Sequence, residues 1–259
     1  MGILNLTPDS FSDGGKYLKT NSGYMYAKKI IQEGCKIIDI GGESTRPGAS
    51  NVNEKKEWER ISTTLKKIKK LKYYVSIDTR KSWIMEQSII NKANLINDVS
   101  GLNFDPNSIK VIKKYNAPFV LNHMKGSPKT MQDNPKYKNV LLDIYDYFEK
   151  KINLLRKNGI LHNNIILDPG IGFGKNLKHN ITLISNVSIF HSLGFPILLG
   201  LSRKSFIKNL SGKNDSNKRV GGTVSSCLFS MLQGVQILRV HDANEINQSL
   251  KVFKTLIMK

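Results

Sequence analysis

The sequence is poor in cysteine, and this scarcity excludes two kinds of structure. Its 259 residues include two cysteines, Cys35 and Cys227, which are far apart in the chain. Neither belongs to a CxxC motif or to a cysteine–histidine pair with the spacing of zinc ligands. We therefore expect neither a disulfide framework nor a structural zinc site, and we interpret both thiols as buried residues of a cytoplasmic protein.

Long apolar segments are also missing. No segment approaches the roughly 18 consecutive apolar residues that a membrane helix requires. The N-terminus lacks the basic stretch and the following apolar stretch of a secretory signal. The sequence therefore predicts a protein of the cytoplasm that makes no membrane contact.

Acidic residues and arginine are scarce relative to lysine. The chain has 40 lysines and arginines against 20 aspartates and glutamates, which gives a formal net charge of +20. This charge raises the hypothesis of a non-catalytic basic protein that binds nucleic acid. Only 7 of the basic residues are arginine, however, and the lysines are spread along helix-like segments. We interpret the excess as compositional drift, with a positive field that collects an anionic substrate as the alternative, and we expect no nucleic-acid partner.

What the sequence does contain is a series of eight short apolar runs. They begin near residues 3, 37, 75, 95, 118, 165, 197 and 236, about 33 residues apart on average, the length of a strand, a loop and a helix. Amphipathic segments lie between or after them at 54–71, 140–158, 177–193, 223–233 and 244–259. Unbroken apolar runs are typical of strands buried on both faces of a parallel sheet. The sequence predicts an α/β fold, a single (β/α)8 TIM barrel that spans residues 1–259 as one catalytic domain.

Each apolar run ends at polar residues, and parallel strands place these ends on one rim of the barrel. The rim holds the carboxylates Asp78, Asp98 and Asp168 and the carboxamides Asn5 and Asn97, and the carboxylates suit a heterocycle with several N–H donors. Its cations are Arg46, Arg203, Lys204, Arg239 and His241, and three of them, Arg46, Arg239 and His241, could clamp a diphosphate. Asn5 is also a neutral oxygen ligand for a Mg²⁺ ion that bridges such a diphosphate.

Some of these positions also have purely structural interpretations. An aspartate before Pro-Gly, such as Asp168, is typical of a turn, and Asp39 before a double glycine is typical of a structural carboxylate. We expect Asp39 and Asp98 to support the rim without binding a ligand. The glycine-rich stretch 170–175 fits neither phosphate-binding spacing and is interpreted as a tight loop. Long, turn-rich connections are predicted to cover the rim at 7–22, 41–53 and 124–139.

Seven sequence blocks coincide with the strand ends. They are GILNLTPDSFSDGG at 2–15, GGESTRPG at 41–48, SIDT at 76–79, IND at 96–98, LDPGIGFGK at 167–175, SRKS at 202–205 and RVHD at 239–242. Together they resemble the bacterial dihydropteroate synthases, a family of folate biosynthesis. The resemblance runs along the chain in barrel order, and its first two blocks are seldom found outside that family.

The resemblance implies a transferase of alkyl or aryl groups that condenses 6-hydroxymethyl-7,8-dihydropterin diphosphate with 4-aminobenzoate, giving 7,8-dihydropteroate and pyrophosphate. The implied pterin site consists of Asp78, Asn97, Asp168 and Lys204. The implied diphosphate site, with Mg²⁺ at Asn5, consists of Asn5, Thr45, Arg46, Arg239 and His241. The implied aminobenzoate pocket consists of Ser44, Thr45, Pro47, Phe173, Ser202 and Lys204. The implied catalytic residues are Asp78, Asp168, Lys204, Arg239 and His241.

Further expectations follow from the same resemblance. Family members commonly form homodimers and are inhibited by sulfonamides, which mimic 4-aminobenzoate, and we expect both here. The short N-terminal hairpin usual in the family is expected to be absent, because the first strand starts almost at Met1. The main rival is a pterin-dependent methyltransferase of the related barrel family, which would need neither the 44–47 loop nor the RVH motif at 239–241. Both of these are intact in the sequence.

Overall fold

The computed structural model describes residues 1–7, 21–44, 51–127 and 130–257, and in them strands and helices alternate along the chain. The strands are β1 (Gly2–Asn5), β2 (Ile37–Gly41), β3 (Tyr74–Asp78), β4 (Leu95–Asp98), β5 (Phe119–Asn122), β6 (Ile165–Asp168), β7 (Leu198–Gly200) and β8 (Ile237–Arg239). The helices are α1 (Ser22–Gln32), α2 (Glu54–Lys70), α3 (Ser82–Ile90), α4 (Ser108–Tyr115), α5 (Val140–Lys157), α6 (Leu177–Ser185), α7 (Ser205–Ser211), α8 (Val220–Leu232) and α9 (Ala243–Ile257).

The strands close into a parallel barrel. β1 to β6 pair in chain order as one parallel sheet, and β7 pairs with β8. A parallel bridge between Leu167 and Ile197 joins β6 to the start of β7. A second bridge, between Gly2 and Val240, joins β8 to β1, and the Ile3 N–H donates to the Val240 carbonyl over 2.9 Å at this join. The predicted (β/α)8 barrel is therefore confirmed.

Side chains alternate along each strand between the helices and the barrel interior. The outward ones pack on the helices in the main core, where Ile38, Ile77 and Leu121 are fully buried. The inward ones near the strand starts form a second apolar cluster of Leu95, Val120 and Leu198 with Met1, Ile166 and Ile237. Two positions further along the same strands come the polar residues Asn97, Asn122, Asp168 and Arg239. The interior is thus apolar at one end and polar at the end where the strands finish.

Asparagine side chains define where three of the predicted helices begin. Asn53, Asn139 and Asn176 each accept a backbone N–H of the first turn of α2, α5 and α6. The predicted helix at 177–193 is shorter than expected, because Asn186 leaves the helical region with a φ of −130°. A 3₁₀ helix, Val187–Leu193, continues the segment. The amphipathic pattern therefore indicated correctly which face of the segment is buried, but it did not indicate that the α-helix ends at Asn186.

Candidate active site

The strand register places several of the predicted site residues side by side at the carboxyl end of the barrel. Asn5 and Asp78 are both register partners of Gly41, and Asp78 is the register partner of Asn97. Asp168 is the last residue of β6. Asp78 and Asp168 are each 5% exposed and Asn97 is 2% exposed, so these hydrogen-bonding groups lie inside the barrel mouth.

Arg239 joins two carboxylates in this mouth. Its Nε donates to Asp39 Oδ2 over 2.6 Å and its Nη2 donates to Asp78 Oδ2 over 2.7 Å. Asn97 Nδ2 donates to the same Asp39 oxygen over 3.1 Å. We call Asp39, Asp78, Asn97 and Arg239 the arginine–carboxylate cluster. Asp39, expected to be a structural support, is thus bonded directly to two predicted site residues.

The arginine–carboxylate cluster has unusual electrostatics because it is buried. Burial raises the pKa of Asp78 to about 7; Arg239 opposes this shift, and the negative charge of Asp39 adds to it. Burial also opposes the charge of Arg239, but Asp39 and Asp78 outweigh it and raise the pKa of the guanidinium. Within the described ranges, the Oδ1 atoms of Asp39, Asp78 and Asn97 are buried without a hydrogen-bond partner. The cluster can therefore accept hydrogen bonds from a ligand with several N–H groups.

Asp168, Lys204 and Phe173 form a second group at the mouth. Asp168 Oδ1 accepts the Gly170 N–H over 2.7 Å, and burial raises the pKa of this carboxyl while Lys204 opposes the shift. The Lys204 ammonium donates to the Ile171 carbonyl and lies 4.7 Å from the centre of the Phe173 ring. Burial lowers the pKa of Lys204 to about 8, with Asp168 opposing. A flat ring and a cation are therefore presented side by side.

Ser202 and His241 lie next to each other after β7 and β8. The buried Ser202 Oγ accepts the His241 N–H over 3.2 Å and lies 3.1 Å from its Nδ1. Arg203, which the sequence placed among the rim cations, instead forms an ion pair with Asp242, with 3.0 Å between Nε and Oδ2. The geometry therefore assigns Arg203 to holding the start of α9 rather than to binding a ligand.

A buried ion network of Glu43, Glu57, Arg80 and Lys81 lies beside the mouth, each residue at most 6% exposed. Lys81 Nζ donates to Glu57 Oε2 over 2.5 Å and to Glu43 Oε1 over 3.0 Å. Glu43 also accepts from Arg80 and from the Val52 N–H, both over 2.8 Å. The Glu43 carboxylate therefore holds Val52, close to the end of the connection after β2. Ser44 is the last residue of the described range 21–44, and the predicted residues outside the described ranges are Thr45, Arg46 and Pro47.

Asp98 points away from the mouth. Its Oδ1 accepts from the Ser100 N–H over 2.7 Å and from the Ser100 hydroxyl over 2.6 Å, and its Oδ2 accepts the Leu102 N–H over 3.0 Å. Burial raises its pKa to about 6, and the bonds from Ser100 limit the shift. Asp98 therefore shapes the turn after β4, in the supporting role that the sequence suggested.

Comparisons with known proteins identify the family of the chain. The model of the family described as pterin binding enzyme matches residues 1–241. The dihydropteroate synthase of Synechocystis sp. is 41% identical over 257 residues, covering 99% of this chain and 89% of that protein. The chain belongs to the dihydropteroate synthase family. The crystal structure of the Yersinia pestis dihydropteroate synthase with a sulfonamide drug complex has a TM-score of 0.95 and 38% identity, covering 100% of this chain and 94% of that one. That of the Xanthomonas albilineans dihydropteroate synthase with 4-aminobenzoic acid has a TM-score of 0.93 and 34% identity, covering 99% and 92%.

Membership of the dihydropteroate synthase family confirms the predicted transferase activity and its place in folate biosynthesis. The chain is a transferase that makes 7,8-dihydropteroate. The matching proteins are named dihydropteroate synthases, and the two matches cover 89% and 94% of those proteins. They therefore favour the predicted synthase over the methyltransferase and over a non-catalytic basic binding protein.

Sequence reasoning did not assign every residue that the structure brings to this synthase site. Asp39 belongs to the arginine–carboxylate cluster, and Asn122 at the end of β5 has a buried Oδ1 without a partner in the described part of the chain. Lys175 is buried, and its Nζ donates to the Phe173 carbonyl over 2.9 Å. The alternation along β2 was the available signal for Asp39, because it lies two positions before Gly41 on the inward face. Lys175 had no comparable signal in its loop.

Proposed function

We propose that the arginine–carboxylate cluster binds the pterin ring of 6-hydroxymethyl-7,8-dihydropterin diphosphate. The observation that carries the proposal is the set of three buried Oδ1 acceptors on Asp39, Asp78 and Asn97, none of which has a partner among the described residues. A pterin presents amino and ring N–H donors in one plane, so it can satisfy acceptors of this kind. Asp168 and Lys204 complete the site in this proposal, with Asp168 as a further acceptor and Lys204 facing a pterin oxygen or ring nitrogen.

We propose that the diphosphate lies at the mouth, bound by Asn5, Thr45, Arg46, Arg239 and His241. Arg239 and His241 alternate at the end of β8 and so project to the same side. The Arg239 side chain is 18% exposed, which leaves its guanidinium accessible from the mouth. Arginine forks suit phosphate oxygens because they can donate two parallel hydrogen bonds.

Mg²⁺ is the cofactor that the family resemblance implies, and the residues here fit it as an ion shared with the diphosphate. No group of three or more His, Cys, Asp or Glu residues in the described part of the chain could hold a metal by itself. Mg²⁺ commonly takes few protein ligands and completes its shell with water and phosphate oxygens. Asn5 offers one neutral oxygen, and Gly41 leaves room beside it, since a Cβ there would lie 3.2 Å from Asn5 Oδ1. The bound ion would offset negative charge on the leaving diphosphate.

The aminobenzoate pocket is proposed at Phe173, Lys204 and Ser202, with Ser44, Thr45 and Pro47 closing it. The ring of Phe173 and the ammonium of Lys204 suit a flat aromatic acid, which needs a stacking surface and a cation. The Xanthomonas albilineans relative has been solved with 4-aminobenzoic acid and the Yersinia pestis relative with a sulfonamide drug. We therefore propose that sulfonamides compete for this pocket in the present protein.

The proposed reaction is a displacement at the methylene carbon of the pterin substrate. The carbon–oxygen bond breaks with its electron pair going to the diphosphate, whose charge Arg239 and His241 stabilise. Asp78 and Asp168 stabilise the positive charge that develops on the pterin. The aniline nitrogen then forms the new carbon–nitrogen bond with its lone pair and loses one proton to water. No covalent bond to the protein is required.

Pyrophosphate release measured with and without 4-aminobenzoate tests the proposal. We expect release that depends on both 4-aminobenzoate and Mg²⁺, with Asn5→Ala requiring more Mg²⁺ than the wild type. Release that does not increase when the amine is added, with Mg²⁺ present, would contradict the proposed transfer. Salt-dependent RNA binding at nanomolar concentration, in the absence of amine-dependent release, would instead support the basic binding protein.

We also propose that residues 1–259 act as one catalytic domain within a cytoplasmic homodimer. In the described residues, the adjacent helices α8 and α9 expose large apolar side chains, among them Phe229, Leu232, Val252 and Leu256. No helix in these ranges combines the length and the apolar character needed to cross a bilayer. Sedimentation that gives a monomer mass at micromolar concentration would contradict the dimer.

A further inference from the structure

Lys175 is a buried lysine that the proposed pterin and diphosphate sites do not use. It is 2% exposed and lies near the end of residues 169–176, which we call the Phe173 loop. Its Nζ lies 3.0 Å from His123 Nδ1, 3.2 Å from the His123 carbonyl and 2.9 Å from the Phe173 carbonyl. Two of these acceptors belong to the residue after β5 and the third to the loop. Lys175 therefore joins the Phe173 loop to the end of β5.

The three contacts of Lys175 can be made in either protonation state. An ammonium donates to both carbonyls and to His123 Nδ1, whereas a neutral amine donates to the carbonyls and accepts from an Nδ1–H. Burial lowers the pKa of Lys175 well below its usual range, with Asp168 opposing. Burial, and then the charge of Lys175, lower the pKa of His123 to about 2, so the imidazole is neutral. The anchor therefore does not depend on one charge state.

The Phe173 loop carries groups of the proposed aminobenzoate pocket, so its position matters there. The Lys204 ammonium donates to the Ile171 carbonyl and lies 4.7 Å from the centre of the Phe173 ring, which couples both pocket residues to this loop. The loop backbone also lies directly against the residue after β5, because a Cβ on Gly170 would lie 2.0 Å from the His123 carbonyl oxygen. On its other side, the Tyr137 hydroxyl donates to the Gly174 carbonyl over 2.8 Å.

We propose that Lys175 is a positioning residue for 4-aminobenzoate, acting by holding the Phe173 loop against the end of β5. This inference rests on the proposed pocket at Phe173 and Lys204. If the loop is released from the end of β5, it samples orientations in which the Phe173 ring and the Lys204 ammonium no longer face the same ligand. Binding of 4-aminobenzoate then weakens, whereas the reaction of the bound substrates changes little. A role in folding alone would lower the fraction of active protein, and so kcat, without changing KM.

The test compares Lys175→Met with Lys178→Met, a control that removes a lysine from an exposed position at the start of α6. We expect Lys175→Met, which removes all three contacts, to raise KM for 4-aminobenzoate about tenfold, with kcat within about threefold of the wild type. Lys178→Met should match the wild type in both parameters. A Lys175→Met protein with unchanged KM and reduced kcat would overturn the proposal.

Tyr137→Phe provides a second test that does not depend on the folding of Lys175→Met. It removes one hydrogen bond from the Phe173 loop and keeps the ring in place, and we expect KM for 4-aminobenzoate to rise about threefold. An unchanged KM in Tyr137→Phe would mean that restraint of this loop does not set aminobenzoate affinity. If the wild type itself releases no pyrophosphate in the presence of the amine, the proposed function fails first. If the wild type is active and both variants have normal KM, only the role of Lys175 is refuted.

Discussion

Replacing Lys81 with methionine should destabilise the barrel strongly, because Lys81 is the cation between two buried carboxylates. Its ammonium bonds Glu57 over 2.5 Å and Glu43 over 3.0 Å. Without it, Glu43 still has Arg80, with 2.8 Å between the ionic atoms. Among the residues that the structure describes, the fully buried Glu57 would keep the hydroxyl of Thr79, which donates to it over 2.7 Å, as its side-chain partner. Within that part of the chain, the variant therefore leaves this interior carboxylate without a cation.

The size of the effect follows from the cost of an unpaired buried charge. Breaking a buried ion pair by removing one partner destabilises a protein by about 3 to 5 kcal/mol, so we expect about 4 kcal/mol for Lys81→Met. The unfolding entropy is about 2.1 cal/mol/K per residue, and the chain has 259 residues. Dividing the lost free energy by the total unfolding entropy gives a decrease in Tm of about 7 °C for Lys81→Met. Lys66→Met, at an exposed position of α2, should change Tm by less than about 1 °C.

The pH dependence of this loss identifies its cause. Burial already raises the pKa of Glu57 above its ordinary value, and the bond from Lys81 limits the shift, so Lys81→Met should raise this pKa further. A carboxyl whose folded pKa exceeds its unfolded pKa favours folding below the unfolded value and loses that contribution as the pH rises through the folded value. The deficit of Lys81→Met should therefore be small near pH 4.5 and grow toward neutral pH. Thermal melts of both variants from pH 4.5 to 8 measure this, and a deficit that is equal at all pH values would refute the reasoning.

Three further predictions concern the mouth of the barrel. Asp168→Asn should weaken pterin affinity about tenfold to a hundredfold, whereas Lys66→Gln should leave it unchanged. Quenching of pterin fluorescence measures both affinities, and equal losses would contradict the proposed pterin site. Because burial raises the pKa of Asp78 to about 7 and a protonated carboxyl is a poorer acceptor, pterin affinity should fall as the pH drops below about 7, and a flat profile from pH 6 to 8 would contradict this. Gly170→Ala should lower the free energy of unfolding in urea by several kcal/mol, because the added Cβ would lie 2.0 Å from a backbone carbonyl oxygen. Gly212→Ala has a similar positive φ but open space around it, and should lower the free energy of unfolding by about 1 kcal/mol. Equal losses in the two variants would show that backbone strain, and not the steric clash, dominates.

The barrel and much of its mouth could be predicted from the sequence, because strands that are buried on both faces consist of short runs of apolar residues. Every predicted run became a strand or its edge, and the residues at the run ends, such as Asp78 and Asp168, lie at one end of the barrel. The predicted helices were correct where an asparagine cap marked the start and less so at Asn186, where nothing in the periodicity indicates a break.

Pairings across the barrel could not be predicted in this way. Arg239 lies 200 residues from its partner Asp39, and which strands face each other depends on the stagger of the closed sheet. For the same reason Arg203 was grouped with the rim cations, although it pairs with Asp242 on the next connection. Lys175 was interpreted as part of a tight loop, since burial of a lysine is decided by tertiary neighbours such as His123.

The ion pairs of Arg239 divide each carboxylate between the protein and a ligand. The guanidinium bonds Oδ2 of Asp39 and of Asp78, whereas their Oδ1 atoms have no partner in the described residues, so a ligand N–H can bond to them without displacing the arginine. A flat ligand with a positive charge of its own would instead compete with the guanidinium for the Oδ2 atoms. Substituting Arg239 would remove the cation proposed for the diphosphate and, at the same time, the cation that pairs with Asp39 and Asp78. The resulting change in rate therefore cannot be interpreted as the strength of one contact.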